Sequence, residues 1–121
     1  MIPLLLVGLG GFVGSVLRYS TTIAMTRCFP DERFPYGTLI VNTLGCLAIG
    51  FLGARSLAAD SPGRWFVIIG VLGGFTTFSS FGFETYALAH ESGPWPALAN
   101  VSLQVCCGLA AVWAGAWLAR V

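Results

Sequence analysis

Residues 70 to 85 read Gly70-Val-Leu-Gly-Gly-Phe-Thr-Thr-Phe-Ser-Ser-Phe-Gly-Phe-Glu-Thr85 and set phenylalanines, hydroxyls and glycines together inside an apolar segment. A plain membrane anchor has no use for that mixture. Glycine weakens a helix by about 1 kcal/mol per position relative to alanine, and a hydroxyl placed in hydrocarbon needs a hydrogen-bond partner. The segment is built to break, to bind or to conduct.

The surrounding chain has 121 residues, 56% of them hydrophobic and 9% charged, whereas a soluble domain carries about 25% charged residues. A membrane span takes about 20 mostly apolar residues. The length therefore admits four spans in a single domain covering residues 1–121, and the expected fold is an all-α integral membrane protein. The first span is expected from about Ile2 to Met25, ending before Pro30 and Pro35, which stop a helix. The second runs from about Tyr36 to Ala58, the third from about Arg64 to Ala89, and the fourth follows Gly93-Pro-Trp-Pro96 nearly to Arg120. Gly70, Gly73 and Gly74 let the third helix break near Gly73 to Thr77 and expose carbonyls, which suit a hard cation such as Na⁺. Trp65 and Trp95 fall where interfacial aromatics sit. The N-terminus lacks a basic leader region, so the first helix is expected to be retained.

Charge placement bears on orientation. With four spans, Arg55, Arg64 and Arg120 share one side and Arg27 and Arg33 the other. A Lys/Arg excess normally fixes the cytoplasmic side, and a difference of one arginine is a weak instruction. Two expectations stand: insertion both ways, giving an antiparallel homodimer with the inverted symmetry of many transporters, or one orientation set by that small bias. Stripes of small residues (Gly10 and Gly14; Gly45, Cys46, Gly50 and Gly53; Gly108, Ala111 and Gly115) serve either self-association or packing within one subunit.

The polar residues inside the spans are the candidate functional groups. Asn42 offers two donors and an acceptor, either for an interhelical hydrogen bond or for a pore. Arg18 lies about 24 Å along the first helix from Ile2, where it either snorkels to the interface or stands in a vestibule that gathers anions. Phe75, Phe78 and Phe81 share a face as core or as a pore wall, since a phenyl ring has a positive edge. Thr76, Thr77, Ser79 and Ser80 add donors beside them. Glu84 reads as a hydrated surface carboxylate or as a gating group, and Asn100 and Gln104 either line a path or hold helices together.

Several classes are disfavoured. Cys28, Cys46, Cys106 and Cys107 lack metal spacing, and neither a phosphate-binding loop nor a nucleophile and base motif occurs, the only histidine being His90 near a loop. The chain is thus not expected to be an enzyme. Six Lys and Arg residues against five Asp and Glu give no nucleic-acid footprint. A small proton-coupled multidrug transporter needs a membrane-embedded carboxylate, but Glu84 and Glu91 lie toward the third-to-fourth helix connection. A non-transporting membrane subunit would leave Asn42 and the phenylalanine and hydroxyl stripe with packing alone.

Three segments taken in order resemble the CrcB/Fluc family of small fluoride channels: Gly10-Gly11-x-x-Gly14-Ser-x-x-Arg18-Tyr19, Gly37-Thr38-Leu39-x-Val41-Asn42, and Gly73-Gly74-Phe75-Thr76-Thr77-Phe78-Ser79-Ser80-Phe81 with Glu84-Thr85. The resemblance covers essentially the whole chain. It implies a fluoride-selective channel giving passive fluoride export and resistance to fluoride toxicity, in the plasma membrane of a prokaryote, the inner membrane if Gram-negative. It also implies a dual-topology antiparallel homodimer in the lipid bilayer, with two pores and a structural Na⁺ at its centre. By position, Phe78 and Phe81 match the pore phenylalanines, Asn42 the pore asparagine, Ser79 and Ser80 the adjoining hydroxyls, Gly73 and Thr76 the carbonyls that hold sodium, and Arg18 the vestibule arginine. The family's usual Thr-Thr-Phe-Ser-Thr-Phe reads Thr-Thr-Phe-Ser-Ser-Phe here, so Ser80 keeps the hydroxyl and loses a methyl. The resemblance assigns no firm role to Asn100, Gln104 or Glu84.

Overall fold

A computed structural model describes residues 1–30, 34–55 and 60–121. Four of its helical spans are long and apolar enough to cross a membrane. Helix α1 (Ile2–Cys28) starts with proline in its first turn and runs one turn beyond the expected Met25, because the brake is Pro30: Phe29 leaves the helix with ψ 74°. Helix α2 (Tyr36–Ala54) follows Pro35. Phe29 stacks on Tyr36 at 4.8 Å and Phe34 packs on the same ring at 5.0 Å, clasping the two helix ends. The expected end of the second span at Ala58, and Arg33 of the charge comparison, lie outside the described residues.

The third span has three parts. A π-helical stretch, Arg64–Leu72, passes into a single α turn, α3 (Gly73–Phe75); the chain then extends through Thr76 and Thr77 before α4 (Phe78–Glu91). The break therefore falls at the two threonines, at the end of the expected Gly73 to Thr77 stretch, with Thr76 at ψ 156° and Thr77 at φ −150°; Gly73 itself is helical at φ −64°, ψ −35°. Gly93, at φ 90°, makes the turn into α5 (Pro94–Leu118), whose first turn holds the proline suited to that place.

The glycines serve close approach of helices within the subunit. A Cβ on Gly10 or Gly14 would strike the carbonyls of Phe66 and Val71, and one on Gly74 would come within 2.5 Å of the Gly11 carbonyl. α2 and α5 are matched in the same way, Gly50 against the Val112 carbonyl and Gly115 against that of Leu47. Small residues that let backbones meet are what hold helices together where lipid removes the hydrophobic drive. Of the stripes read for self-association, Gly10, Gly14, Gly50 and Gly115 are occupied in this internal packing, whereas Gly53 has open space around it.

Many large apolar side chains point outward and several polar ones inward. Phe12, Trp95 and Trp113 are largely exposed, while Thr38, Thr77, Asn100 and Gln104 are buried. Among the described residues the largest fully buried side chains are Val41 and Asn100.

Candidate functional site: a broken helix and its amide partners

The site is built on the break in the third span. Once Thr76 and Thr77 adopt extended backbone, the Thr77 N–H cannot reach the Gly73 carbonyl four residues earlier. It donates instead to Asn42 Oδ1 at 2.9 Å, while Asn42 Nδ2 donates to the Thr77 carbonyl at 3.1 Å. One side-chain amide thus satisfies both polar groups of a single residue, as a neighbouring strand would. Asn42 comes from mid-α2, and Gly45, one turn on, provides the space: a Cβ there would collide with the Thr76 methyl. Thr76 is held from its own side by hydrogen bonds from its N–H (3.0 Å) and its hydroxyl (2.9 Å) to the Leu72 carbonyl.

The lower half of the helix restarts on a side-chain cap. Thr77 Oγ1 accepts from the Ser80 N–H at 3.2 Å, donates to Ser80 Oγ at 3.1 Å and lies 3.3 Å from Ser79 Oγ. Such a cap replaces a missing backbone acceptor at a helix start. The two capping bonds have a joint result. Thr77 N–H and Ser80 N–H are the helical partners of the Gly73 and Thr76 carbonyls, and both are diverted, so those two carbonyls lack the hydrogen bonds a continuous helix would supply.

Phe78 and Phe81 flank the break with ring centroids 5.5 Å apart and planes at 65°, edge toward face. Phe78 is 82% exposed in the single chain. Both rings line a cavity of about 440 Å³ together with Asn42, Gly73, Thr76 and Gln104. Among its lining residues no ionisable carboxylate, lysine or arginine occurs, so its polar groups are neutral amides, hydroxyls and backbone.

Two further polar links run from this cavity along the bundle. Asn42 Nδ2 also donates to Gln104 Oε1 at 3.2 Å on α5. Both of its hydrogens are therefore used, one of them in an interhelical bond. Asn100, one turn earlier on α5, donates to Thr85 Oγ1 at 2.8 Å, and Thr85 in turn donates to the Phe81 carbonyl at 2.7 Å. Asn100 Oδ1, Gln104 Nε2 and Glu84 Oε2 are buried without a partner.

Of the two readings of Glu84, its surroundings do not match a hydrated surface carboxylate. It is partly buried two turns inside the end of α4, accepts from the Thr38 hydroxyl at 2.6 Å, and lines a second cavity of about 280 Å³ with Thr22, Phe34 and Glu91. A carboxylate thus does lie within the bundle, where the Thr38 hydroxyl of α2 meets the α4 turn that carries it. Arg18, half-exposed on α1, lines neither cavity. Among the described residues no group of three or more His, Cys, Asp or Glu could hold a metal, and all four cysteines are free.

Thr38 and Thr85 were not singled out from sequence as site residues, although each turns out to hold a candidate. Their signal is spacing. Thr38 is one turn before Asn42 and Thr85 one turn after Phe81, so each shares a helix face with a candidate.

Four apolar spans with their polar groups turned inward, the third span broken beside a neutral amide-lined cavity, define a multi-pass membrane protein organised around an interior polar path. The family model described as CrcB-like protein, Camphor Resistance (CrcB), matches residues 5–116, and the chain belongs to that family. It is 49% identical over 119 residues to a protein of Solibacter usitatus (strain Ellin6076), covering 96% of this chain and 97% of that one. A protein of Elusimicrobium minutum (strain Pei191) is 45% identical over 116 residues, covering 96% and 92%, and one of Clostridium perfringens (strain 13 / Type A) is 41% identical over 120 residues, covering 97% and 93%. Each of the three bears the name fluoride-specific ion channel FluC. The relatives are bacterial, and this chain is a multi-pass membrane protein of a prokaryote.

Proposed function

We propose that this chain forms a fluoride-selective channel that lets fluoride leave the cytoplasm passively and so confers resistance to it. The carrying observation is the edge-to-face pair Phe78 and Phe81 on a cavity whose other polar groups are neutral. A small, strongly hydrated anion enters a narrow path only where donors replace its water. Ring edges carry partial positive charge, the amide of Gln104 and the hydroxyls of Ser79 and Ser80 add donors without a fixed charge that would hold the ion, and Asn42 lines the same path. Larger chloride fits such a path poorly. Arg18 acts at a vestibule, concentrating anions, and Asn100 and Glu84 extend the polar lining. The reading agrees with the names of the relatives and requires no catalytic group.

The working unit in this reading is an antiparallel, dual-topology homodimer with two pores. Its support is the exposure of Phe78, which leaves the cavity open on one side of a single chain, and the near balance of arginines across the membrane. A structural Na⁺ at the dimer centre fits the residues present. The Gly73 and Thr76 carbonyls are deprived of their helical donors, and Gly73 is exposed. Hard oxygen donors of this kind suit an alkali cation, which when bound would tie the two copies together at the break.

Fluoride efflux from liposomes containing the purified chain is the test, with chloride efflux, protein-free vesicles and Phe78→Ile as controls. Fluoride-selective flux lost in Phe78→Ile is the expected result; folded protein without flux would remove the proposal. Loop cysteines labelled from both faces of the membrane are expected for dual topology, and labelling of each loop from one face only would rule it out.

A further inference from the structure

We infer that the side chains of Asn42 and Thr77 are positioning residues for the cation site at the break: each takes up the backbone donor that would otherwise close one of its two carbonyls. Both roles rest on the sodium reading given above and deepen it by naming what holds that site open. In a continuous helix the N–H of residue i+4 occupies the carbonyl of residue i. Thr77 N–H therefore belongs to the Gly73 carbonyl and Ser80 N–H to that of Thr76. Asn42 Oδ1 takes the first at 2.9 Å and Thr77 Oγ1 the second at 3.2 Å.

The neighbouring contacts fix which oxygens are left. The Leu72 carbonyl accepts both the N–H of Thr76, at 3.0 Å, and its hydroxyl, at 2.9 Å, and so is withdrawn from the site. Asn42 is locked in place by its own second bond, Nδ2 to the Thr77 carbonyl at 3.1 Å, and Gly45 leaves room for the Thr76 methyl, where a Cβ would collide. Asn42, Gly73, Thr76 and Thr77 all line one cavity. Thr77 is 9% exposed, whereas Gly73 is open at the surface of the single chain. The bracing hydroxyl is thus inside the subunit, and the glycine whose carbonyl is freed lies where a second copy can meet it.

Removing either brace returns its donor to the backbone. In Asn42→Ala the helical acceptor for Thr77 N–H is the Gly73 carbonyl; in Thr77→Val, which keeps the shape of the side chain, the acceptor for Ser80 N–H is that of Thr76. A carbonyl engaged in this way must surrender a hydrogen bond before it can serve a cation, and the sodium concentration that gives half the effect is expected to rise about tenfold or more. Thr77→Ser keeps the accepting oxygen and should keep the sodium response.

The test is the melting temperature of the purified full chain in detergent, titrated with sodium chloride against N-methyl-D-glucamine chloride at constant ionic strength and without fluoride. A cation that binds only the folded protein raises that temperature as its site fills. Wild type and Thr77→Ser are expected to rise at similar sodium concentrations, and Asn42→Ala and Thr77→Val to need about ten times more or to show no rise. Gly50→Ala, destabilised at the contact of α2 with α5, is the control: it melts lower but keeps the sodium response, which separates loss of the site from loss of stability. Thr77→Val gives up a single cap and carries the test should Asn42→Ala not fold. An undiminished sodium response in either folded variant would overturn the inference and leave the sodium site standing, whereas a wild type indifferent to sodium would remove the sodium reading and the inference with it. Fluoride flux tests the channel reading separately.

Discussion

The Asn42 side chain and the Thr77 backbone are paired at both ends, oxygen to N–H at 2.9 Å and nitrogen to carbonyl at 3.1 Å, across 35 residues of sequence. This pairing is what allows a helix to come apart in the middle of a membrane span. In hydrocarbon every backbone polar group needs a partner, and a break in an unassisted span would leave the Thr77 N–H without one.

Asn42→Ala is therefore expected to cost about 2–4 kcal/mol, since it orphans the Thr77 N–H and leaves Gln104 Oε1 unpaired. Thermal or denaturant unfolding in detergent measures it. A loss under about 0.5 kcal/mol would mean that water already serves the break.

Thr77→Ala should cost about 1 kcal/mol as an ordinary N-cap loss, and Thr77→Ser should restore most of it, because the serine hydroxyl can still accept from Ser80 N–H. The same unfolding measurement reads both. Equal losses in the two variants would show that the methyl, and not the oxygen, matters at this position.

Two glycines on α2 should behave oppositely. Gly50→Ala drives a methyl into the Val112 carbonyl and is expected to destabilise by about 1–3 kcal/mol. Gly53→Ala meets open space and should be neutral or gain up to about 1 kcal/mol from helix propensity. Paired melting curves decide this, and a reversed order would contradict the packing of α2 on α5.

Thr38→Val removes the 2.6 Å donor to Glu84 without changing shape. The carboxylate then has both oxygens unpaired, one already being so, and a stability loss of about 1–3 kcal/mol is expected. In the double variant with Glu84→Gln the two changes should be non-additive, because the groups share one bond. Additive losses would place their effects elsewhere.

Much of the architecture was legible from residue types. The spans follow from apolar length, and Pro30, Pro35 and Pro94 mark their ends within a few residues. The break was also legible within Gly73 to Thr77, though not which residues of that stretch extend: they are Thr76 and Thr77. Glycine permits a break, yet here Gly74 is fully used for approach to α1, and the threonines give way because Asn42 and the Thr77 hydroxyl compensate them. Between the two readings of Glu84 residue types did not decide, because distance from a helix end does not report what packs over it.

By itself the sequence determined that the chain lives in lipid, crosses it four times and carries its polar groups on few faces, since hydrocarbon tolerates little else over such lengths. Only the tertiary structure decided who satisfies whom: Asn42 with Thr77 and Gln104, Thr38 with Glu84, Asn100 with Thr85. A helical period places a side chain on a face, but a hydrogen bond also requires a partner at about 3 Å. That distance is set by how closely α1 presses on the third span and α2 on α5, glycine against backbone.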